Sequence, residues 1–324
     1  MKKILVLRFS SIGDIVLTSP VLRCIKIQTG AELHFLTKEP FRELLSHSPY
    51  IDRVFTFQQK IREVLPALKA EKYDMVIDLH HNLRSFALKS ALRRPASSFP
   101  KLNLKKWLLV HTGIHVLPDV HIVDRYLAAA APLQVVNDGL GLDYFLPPAE
   151  EEKALTFIRQ QVPGPFIALV TGAAHATKRL PEHRLLELCR LLREPLVLLG
   201  GPDEASQGQR IAAAAGQHVV NACGQLSLHQ SAALLKHARL VITHDTGLMH
   251  IAAAFNKRII SLWGNTVPEF GMYPYSPKGG NQHTLLEVHG LSCRPCSKIG
   301  FSKCPRGHFR CMLDLPLSRI PELL

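Results

Sequence analysis

The stretch Lys3-Ile4-Leu5-Val6-Leu7-Arg8-Phe9-Ser10-Ser11-Ile12-Gly13-Asp14 decides the fold. Its unbroken apolar run reads as a strand buried on both faces, and its small polar residues read as the loop that follows. Working outward, Ile15 to Thr29 has helical spacing, Ala31 to Thr37 is a second strand, and a helix is expected from about Pro40 to Ser46. Tyr73 to Leu79 is another buried strand, ending in the polar loop His80-His81-Asn82-Leu83-Arg84. Strand and helix in alternation predict a parallel sheet covered on both faces.

The rhythm restarts past the midpoint. Phe166 to Val170 reads as a strand, followed by the loop Thr171 to Lys178 and a helix from Pro181 through Leu192. Pro195 to Leu199 leads into Gly200-Gly201-Pro202-Asp203-Glu204, and Arg239 to Thr243 into Asp245-Thr246-Gly247 and the helix Leu248 to Phe255; Arg258 to Trp263 is a last strand. Pro147-Pro148 and Glu150-Glu151-Glu152 punctuate the chain between the two halves. The expectation is an α/β protein of two Rossmann-like domains, residues 1–152 and 153–324, whose parallel sheets face each other across a cleft. Ligands of such folds bind at the C-terminal ends of the strands.

Composition narrows the function classes. With 324 residues and 47% hydrophobic content the chain can fill two cores, and 20% charged residues with no polar tract argue against disorder. The net charge of +13 favours an acidic partner (nucleic acid, an anionic membrane or a phosphorylated substrate) over a merely solubilising surface. The opening apolar run is too short for a signal peptide, and nothing approaches the ~20 apolar residues of a membrane span. A cytoplasmic protein, or one peripheral on the inner face of a membrane, is expected. No aromatic-rich basic motif of the RNA-binding type occurs, so nucleic acid is not the expected partner.

Five groups of residues carry candidate chemistry. Asp14, beside Ser10, Ser11 and Gly13, reads either as a helix cap or as a general base facing the cleft. Thr171 to Pro181 offers small residues, Thr177 and Lys178 before a helix; this suits a diphosphate, and equally an ordinary turn. Asp245, Thr246 and Gly247 open a helix carrying His250 one turn on; they read as an anion site or as a capped, alanine-packed helix. Glu204 follows a strand where a carboxylate can accept from ribose hydroxyls, or simply face water. The sequence contains no Asp-x-Asp pair, so leaving-group charge falls to Lys178 and helix amides.

The fifth group is Cys293, Cys296, Cys304 and Cys311, with His308 among them. Four cysteines within nineteen residues fit a structural zinc, reduced thiols or a redox centre. Lys298, Lys303, Arg306 and Arg310 make this segment basic, so it is expected either to face a phosphorylated acceptor or lipid, or to be solvated. The scattered Cys24, Cys189 and Cys223 read as core thiols.

Together these residues resemble the ADP-heptose:lipopolysaccharide heptosyltransferase family, glycosyltransferase family 9. The opening Lys3 to Pro20, Lys178 to Pro181, Gly200 to Glu204, Asp245 to His250 and the C-terminal cysteine run are similar to the family's motifs in the same order. The resemblance spans the whole chain. It implies a GT-B fold and inverting, metal-independent transfer of heptose from ADP-L-glycero-D-manno-heptose to the inner core of lipopolysaccharide. By that resemblance Asp14 is the base and Lys178 the diphosphate lysine, with Thr177 beside it. Glu204 matches the ribose carboxylate, Leu226 the apolar contact with adenine, and Asp245, Thr246, Gly247 and His250 the donor loop. Ser10, Ser11, Gly13, His81 and Arg84 are the candidate contacts to a Kdo-lipid A type acceptor at the anionic inner membrane. The chain departs from the family at His80 to Arg84, where a Gln-Gly type loop is usual, and it is short through residues 95–120. Rival readings are a transferase or epimerase acting on UDP- or GDP-sugars, and a basic nucleic-acid binder.

Overall fold

In the computed structural model, which describes residues 2–278, 280 and 283–324, the chain forms two compact units. The first runs to Leu102 and resumes over Val120–Phe145; the second comprises Asn103–Asp119 and Leu146–Leu324. The boundary between Phe145 and Leu146 falls beside the Pro147-Pro148 punctuation, and the partition departs from the expected 1–152 and 153–324 chiefly in giving Asn103–Asp119 to the second unit. Pro147 is the N-cap and Pro148 the first residue of a helix, a position that needs no backbone N–H.

The first unit begins with β1 (Lys3–Leu7), α1 (Ile12–Val16), α2 (Ser19–Thr29), β2 (Glu32–Lys38) and β3 (Arg53–Phe57). It continues with α3 (Leu65–Ala70), β4 (Met75–Asp78), α4 (Leu83–Leu92) and β5 (Ala96–Ser98). Next come α5 (Asn103–Thr112), which belongs to the second unit, and α6 (Ile122–Ala128), which returns to the first. The five strands are all parallel, in the order β3-β2-β1-β4-β5. The single helix expected over Ile15–Thr29 is broken. Pro20 cannot supply the N–H that would continue it, and the hydroxyls of Thr18 and Ser19 turn back onto the carbonyls of Ile15 and Val16 at 2.7 and 2.8 Å.

The second unit holds α7 (Pro148–Gln161), β6 (Ile167–Val170), α8 (Glu182–Leu191), β7 (Leu196–Leu199), α9 (Ala205–Ala215) and β8 (Val219–Asn221). It ends with α10 (Leu228–His237), β9 (Leu240–His244), α11 (Gly247–Ala254), β10 (Ile259–Trp263), β11 (His283–Glu287) and the short α12 (Arg310–Leu313). Its six parallel strands run β11-β10-β9-β6-β7-β8. Counted from β6, this is the doubly wound order, with a switch point between the first and fourth strands of the unit. The first sheet has the same switch point, between β1 and β4. Every residue of β6, β7, β9 and β10 is buried, as expected of strands covered on both faces.

Candidate active site

At the switch point of the first sheet, β1 delivers Arg8, which is 8% exposed. Its guanidinium donates to the carbonyls of Ser10 and Leu79 at 2.8 and 2.6 Å, which ties the end of β1 to the end of β4. Its remaining nitrogen lies 2.7 Å from Asp14. Asp14 is not the N-cap of α1. It is the third helical residue, and it accepts from the hydroxyl and amide of Ser11 at 2.8 and 3.2 Å. Burial pushes the Asp14 carboxyl up, but the Arg8 guanidinium and the two Ser11 donors outweigh it and hold the group below its ordinary range. The Tyr126 hydroxyl also interacts with Asp14. Ser10 is half-buried, Ser11 exposed and Gly13 buried within α1.

The loop after β4 is shaped by Asp78. This fully buried carboxylate accepts from the amides of His80 and His81 at 3.0 and 2.7 Å and pairs with Lys89 at 2.8 Å. His81 takes a positive φ of 51°, and its Nδ1 bonds the Phe99 carbonyl at 2.9 Å. His80 packs on Phe9 with ring centroids 4.5 Å apart. Burial, with Arg8 and Lys101 nearby, pushes His80 down to about 4, so it is neutral at pH 7. Arg84 is exposed near the start of α4.

At the switch point of the second sheet, the loop after β6 brings Lys178 to 2.5 Å from Asp245, which follows β9. Asp245 also accepts from the Thr266 hydroxyl, beyond β10, at 2.9 Å. The pair is mostly enclosed, with side-chain exposures of 14% and 11%. Thr246, not Asp245, is the N-cap of α11, and Gly247 is its first residue, so the orphan amides of that turn lie beside the pair. His250, one turn on, is 2% exposed. Thr177 differs from its expected role. Its hydroxyl donates to the Phe301 carbonyl at 3.2 Å and accepts from the Phe301 amide at 2.8 Å, which commits it to the cysteine segment.

Glu204, after β7, is 6% exposed and takes the Gly201 amide at 2.9 Å and Arg179 at 2.8 Å. Arg179 also donates to the Ala173 carbonyl at 2.5 Å, so it links the β6 and β7 loops. A Cβ on Gly172 would stand 2.8 Å from the Glu204 carboxylate, so only glycine admits this approach. His244 accepts from the Leu180 amide at 3.0 Å; burial and then Arg179 push it down to about 4. Leu226 is half-buried beyond the end of β8, on the same edge. Sequence reasoning missed Arg8, Arg179, Tyr126 and Thr266. The first two are cations abutting the motifs, and that was the available signal.

The cysteine segment braces this edge. Arg294 donates to the carbonyls of Gly264 and Thr266 at 2.6 and 2.9 Å and pairs with Glu287, and Met312 packs against Gly264. Cys293, Cys296, Cys304 and Cys311 are free thiols, with Cys293 3.7 Å from His308. Cys311 is pushed up to about 12 by burial and by its neighbouring thiols. The four sulfurs do not close on a common centre: among the described residues, only Glu32, His34 and Glu71 bring three ligand atoms within 4.8 Å of one another. That cluster lies at the opposite edge of the first sheet and is already occupied by the Lys3 ammonium, 3.1 Å from Glu32 and 2.7 Å from Glu71.

No helix among the described residues is long and apolar enough to cross a membrane. The chain is 25% identical to lipooligosaccharide heptosyltransferase 2 of Haemophilus influenzae, over 99% of each protein. Its fold is similar to a family 9 glycosyltransferase from Veillonella parvula (TM-score 0.79, 21% identity, 99% of this chain and 95% of that one). It is also similar to E. coli ADP-heptose lps heptosyltransferase II (TM-score 0.74, 22% identity, 99% and 97%). These neighbours share the GT-B architecture of two Rossmann-like sheets. The family model described as glycosyltransferase family 9 (heptosyltransferase) matches residues 61–300, which include the β4 loop, Lys178, Glu204 and Asp245. A chain with these groups at its two switch points, matched over most of its length, belongs to glycosyltransferase family 9, the heptosyltransferases, and is a glycosyltransferase.

Proposed function

We propose that this chain transfers heptose from ADP-L-glycero-D-manno-heptose to the inner core of lipopolysaccharide, with inversion and without a catalytic metal. The observation that carries the reading is the Lys178–Asp245–Thr266 arrangement beside the start of α11. A nucleoside diphosphate at that switch point meets one ammonium and a turn of free amides, and both stabilise the charge of a departing diphosphate. Lys178 exchanges Asp245 for the diphosphate, while Thr266 keeps Asp245 in place. Glu204 takes the ribose, Leu226 the adenine, and Thr246, Gly247 and His250 form the walls of the donor loop.

The first unit supplies the base. Asp14 is a carboxylate at neutral pH and removes the acceptor hydroxyl proton. That oxygen bonds to the anomeric carbon as the bond to ADP breaks, and the bonding pair leaves with the diphosphate. Ser10, Ser11, Gly13, His81 and Arg84 are assigned to the acceptor, a Kdo-lipid A type glycolipid at the cytoplasmic face of the inner membrane. The relatives' heptosyltransferase names support both substrates. A structural zinc on Cys293, Cys296, Cys304 and Cys311 requires these sulfurs to close to about 2.3 Å from one centre. Stoichiometric zinc in the purified protein supports it, and its absence removes it.

The test is incubation with ADP-heptose and detergent-dispersed acceptor, read by mass spectrometry. One added heptose, formed equally in EDTA while the fold is monitored, is expected. Turnover only with UDP- or GDP-sugars, or only with an added divalent ion, overturns the reading.

A further inference from the structure

Beyond Arg84, which lines its near end, the first unit carries a surface to which the proposed reaction assigns no role. The outward face of α4 presents Leu83 at 87% and Phe86 at 64% exposure, while Ser85 and Leu88 point into the core. Between α4 and α3 lies a groove of about 590 Å³ whose apolar lining includes Ile61, Leu65, Ala87 and Ala91. Ala91 also lines a second cavity of about 530 Å³, at the end of the helix, which contains Lys69, Lys72, Arg93 and Arg94. Groove and cavity are therefore one continuous surface along α4, roughly 15 Å long at 1.5 Å per residue.

The four cations are exposed, and among the described residues none pairs with a carboxylate. The nearby acids are already committed: Glu63 to the amides of Gln58, Gln59 and Lys60, Glu71 to Lys3 and Arg53, and Asp74 to the Lys3 amide. Exposed Leu and Phe beside uncompensated Lys and Arg is the composition of an interfacial element: apolar side chains enter the acyl boundary, and cations meet anionic headgroups.

We propose that the α4 face of the first unit is the surface by which this chain docks on an anionic lipid bilayer. The inference rests on the reading that the acceptor is lipid-borne. α4 starts just after His81 and carries Arg84 in its first turn, so docking along it lays the bilayer against the residues assigned to the acceptor. The cysteine segment offers a smaller set of the same groups, with Ile299 and Phe301 exposed beside Lys298, Lys303 and Arg306, while Arg310 is paired with Asp314 at 2.8 Å.

Sedimentation with vesicles of phosphatidylglycerol and phosphatidylethanolamine, against vesicles of phosphatidylcholine alone, tests this. A cation near an anionic surface strengthens binding about fivefold. Replacing Lys69, Lys72, Arg93 and Arg94 with Ser is thus expected to weaken binding a hundredfold or more. Leu83→Ser with Phe86→Ser is expected to remove the binding that persists in high salt. Both variants should keep the wild-type melting temperature and turnover on detergent-dispersed acceptor. Replacing Lys298, Lys303 and Arg306 with Ser should weaken binding less than tenfold. Wild-type protein that ignores anionic vesicles, α4 variants that bind like wild type, or binding lost only with the cysteine-segment changes would overturn the docking surface. Turnover on the dispersed acceptor would then still stand as separate support for the transferase reading.

Discussion

Each sheet edge carries an ion pair at its switch point, but the two pairs are built differently. In the first unit, Arg8 is bolted to two backbone carbonyls as well as to Asp14, and Asp14 is held again by Ser11. In the second, the Lys178 side chain has Asp245 as its single partner among the described residues, and Asp245 is backed by Thr266. A planar guanidinium with several fixed bonds positions a carboxylate. A lysine on a flexible stem is a point charge that can change partners. The first arrangement suits a base that must not move; the second suits a cation that must leave its carboxylate for an incoming diphosphate.

The largest effect expected from this contrast is at Asp14. Asp14→Asn should lower kcat by about 10²-fold or more, because general-base catalysis contributes that much. Wild-type kcat in this variant would reduce Asp14 to a capping residue. Next, Lys178→Ala should reduce kcat/KM by roughly 10- to 100-fold, the loss of one charge-assisted contact of about 1.5–3 kcal/mol. An unchanged kcat/KM would move the phosphate site elsewhere.

Arg8→Gln sharpens the comparison through pH. With Arg8 present, the Asp14 carboxyl is held below its ordinary value, so it stays ionised well into acid. Without Arg8, burial is left to push it up, and the acid limb of the kcat profile should move to higher pH. The same sign governs stability. A carboxyl with a depressed folded pKa stabilises the fold above its unfolded value, and that gain disappears as pH falls through the folded one. The variant should lose this component, measured as a lower Tm at neutral pH and a smaller fall on acidification. An unmoved acid limb would show that Asp14 is not the titrating group. The smallest effect is expected at Gly172→Ala. The new methyl must displace the Glu204 carboxylate, costing about 1–3 kcal/mol of stability, with only a few-fold rise in the ADP Kd. Unchanged stability and affinity would mean that Glu204 yields freely and does not fix the ribose.

Much of this was legible in the sequence, for identifiable reasons. Buried parallel strands are near-continuous apolar runs, so β1, β4, β6, β7, β9 and β10 stand out to within a residue or two. The motif residues at the ends of β1, β4, β6 and β9 lie at the two switch points, and Glu204 follows the neighbouring β7. The edge strands β3, β5, β8 and β11 were not read, because they are short or mix polar with apolar residues, as in Ala96–Ser98. The break between α1 and α2 depends on hydroxyls folding back onto carbonyls, which spacing cannot reveal. The engagement of Thr177 by Phe301, 124 residues away, has no local signature. The boundary between Phe145 and Leu146 falls beside the proline pair that marked it, but Asn103–Asp119 belongs to the second unit, which no local signal announces. Only three-dimensional packing reports such an exchange.

We assign donor binding to Lys178 and the second unit, and proton removal to Asp14 and the first. Calorimetric titration of ADP into wild-type protein, Asp14→Asn and Lys178→Ala tests it most directly. Wild type and Asp14→Asn should share one Kd, and Lys178→Ala should bind about 10-fold weaker or worse. Absence of ADP binding to the wild type, or equal losses in both variants, would contradict it.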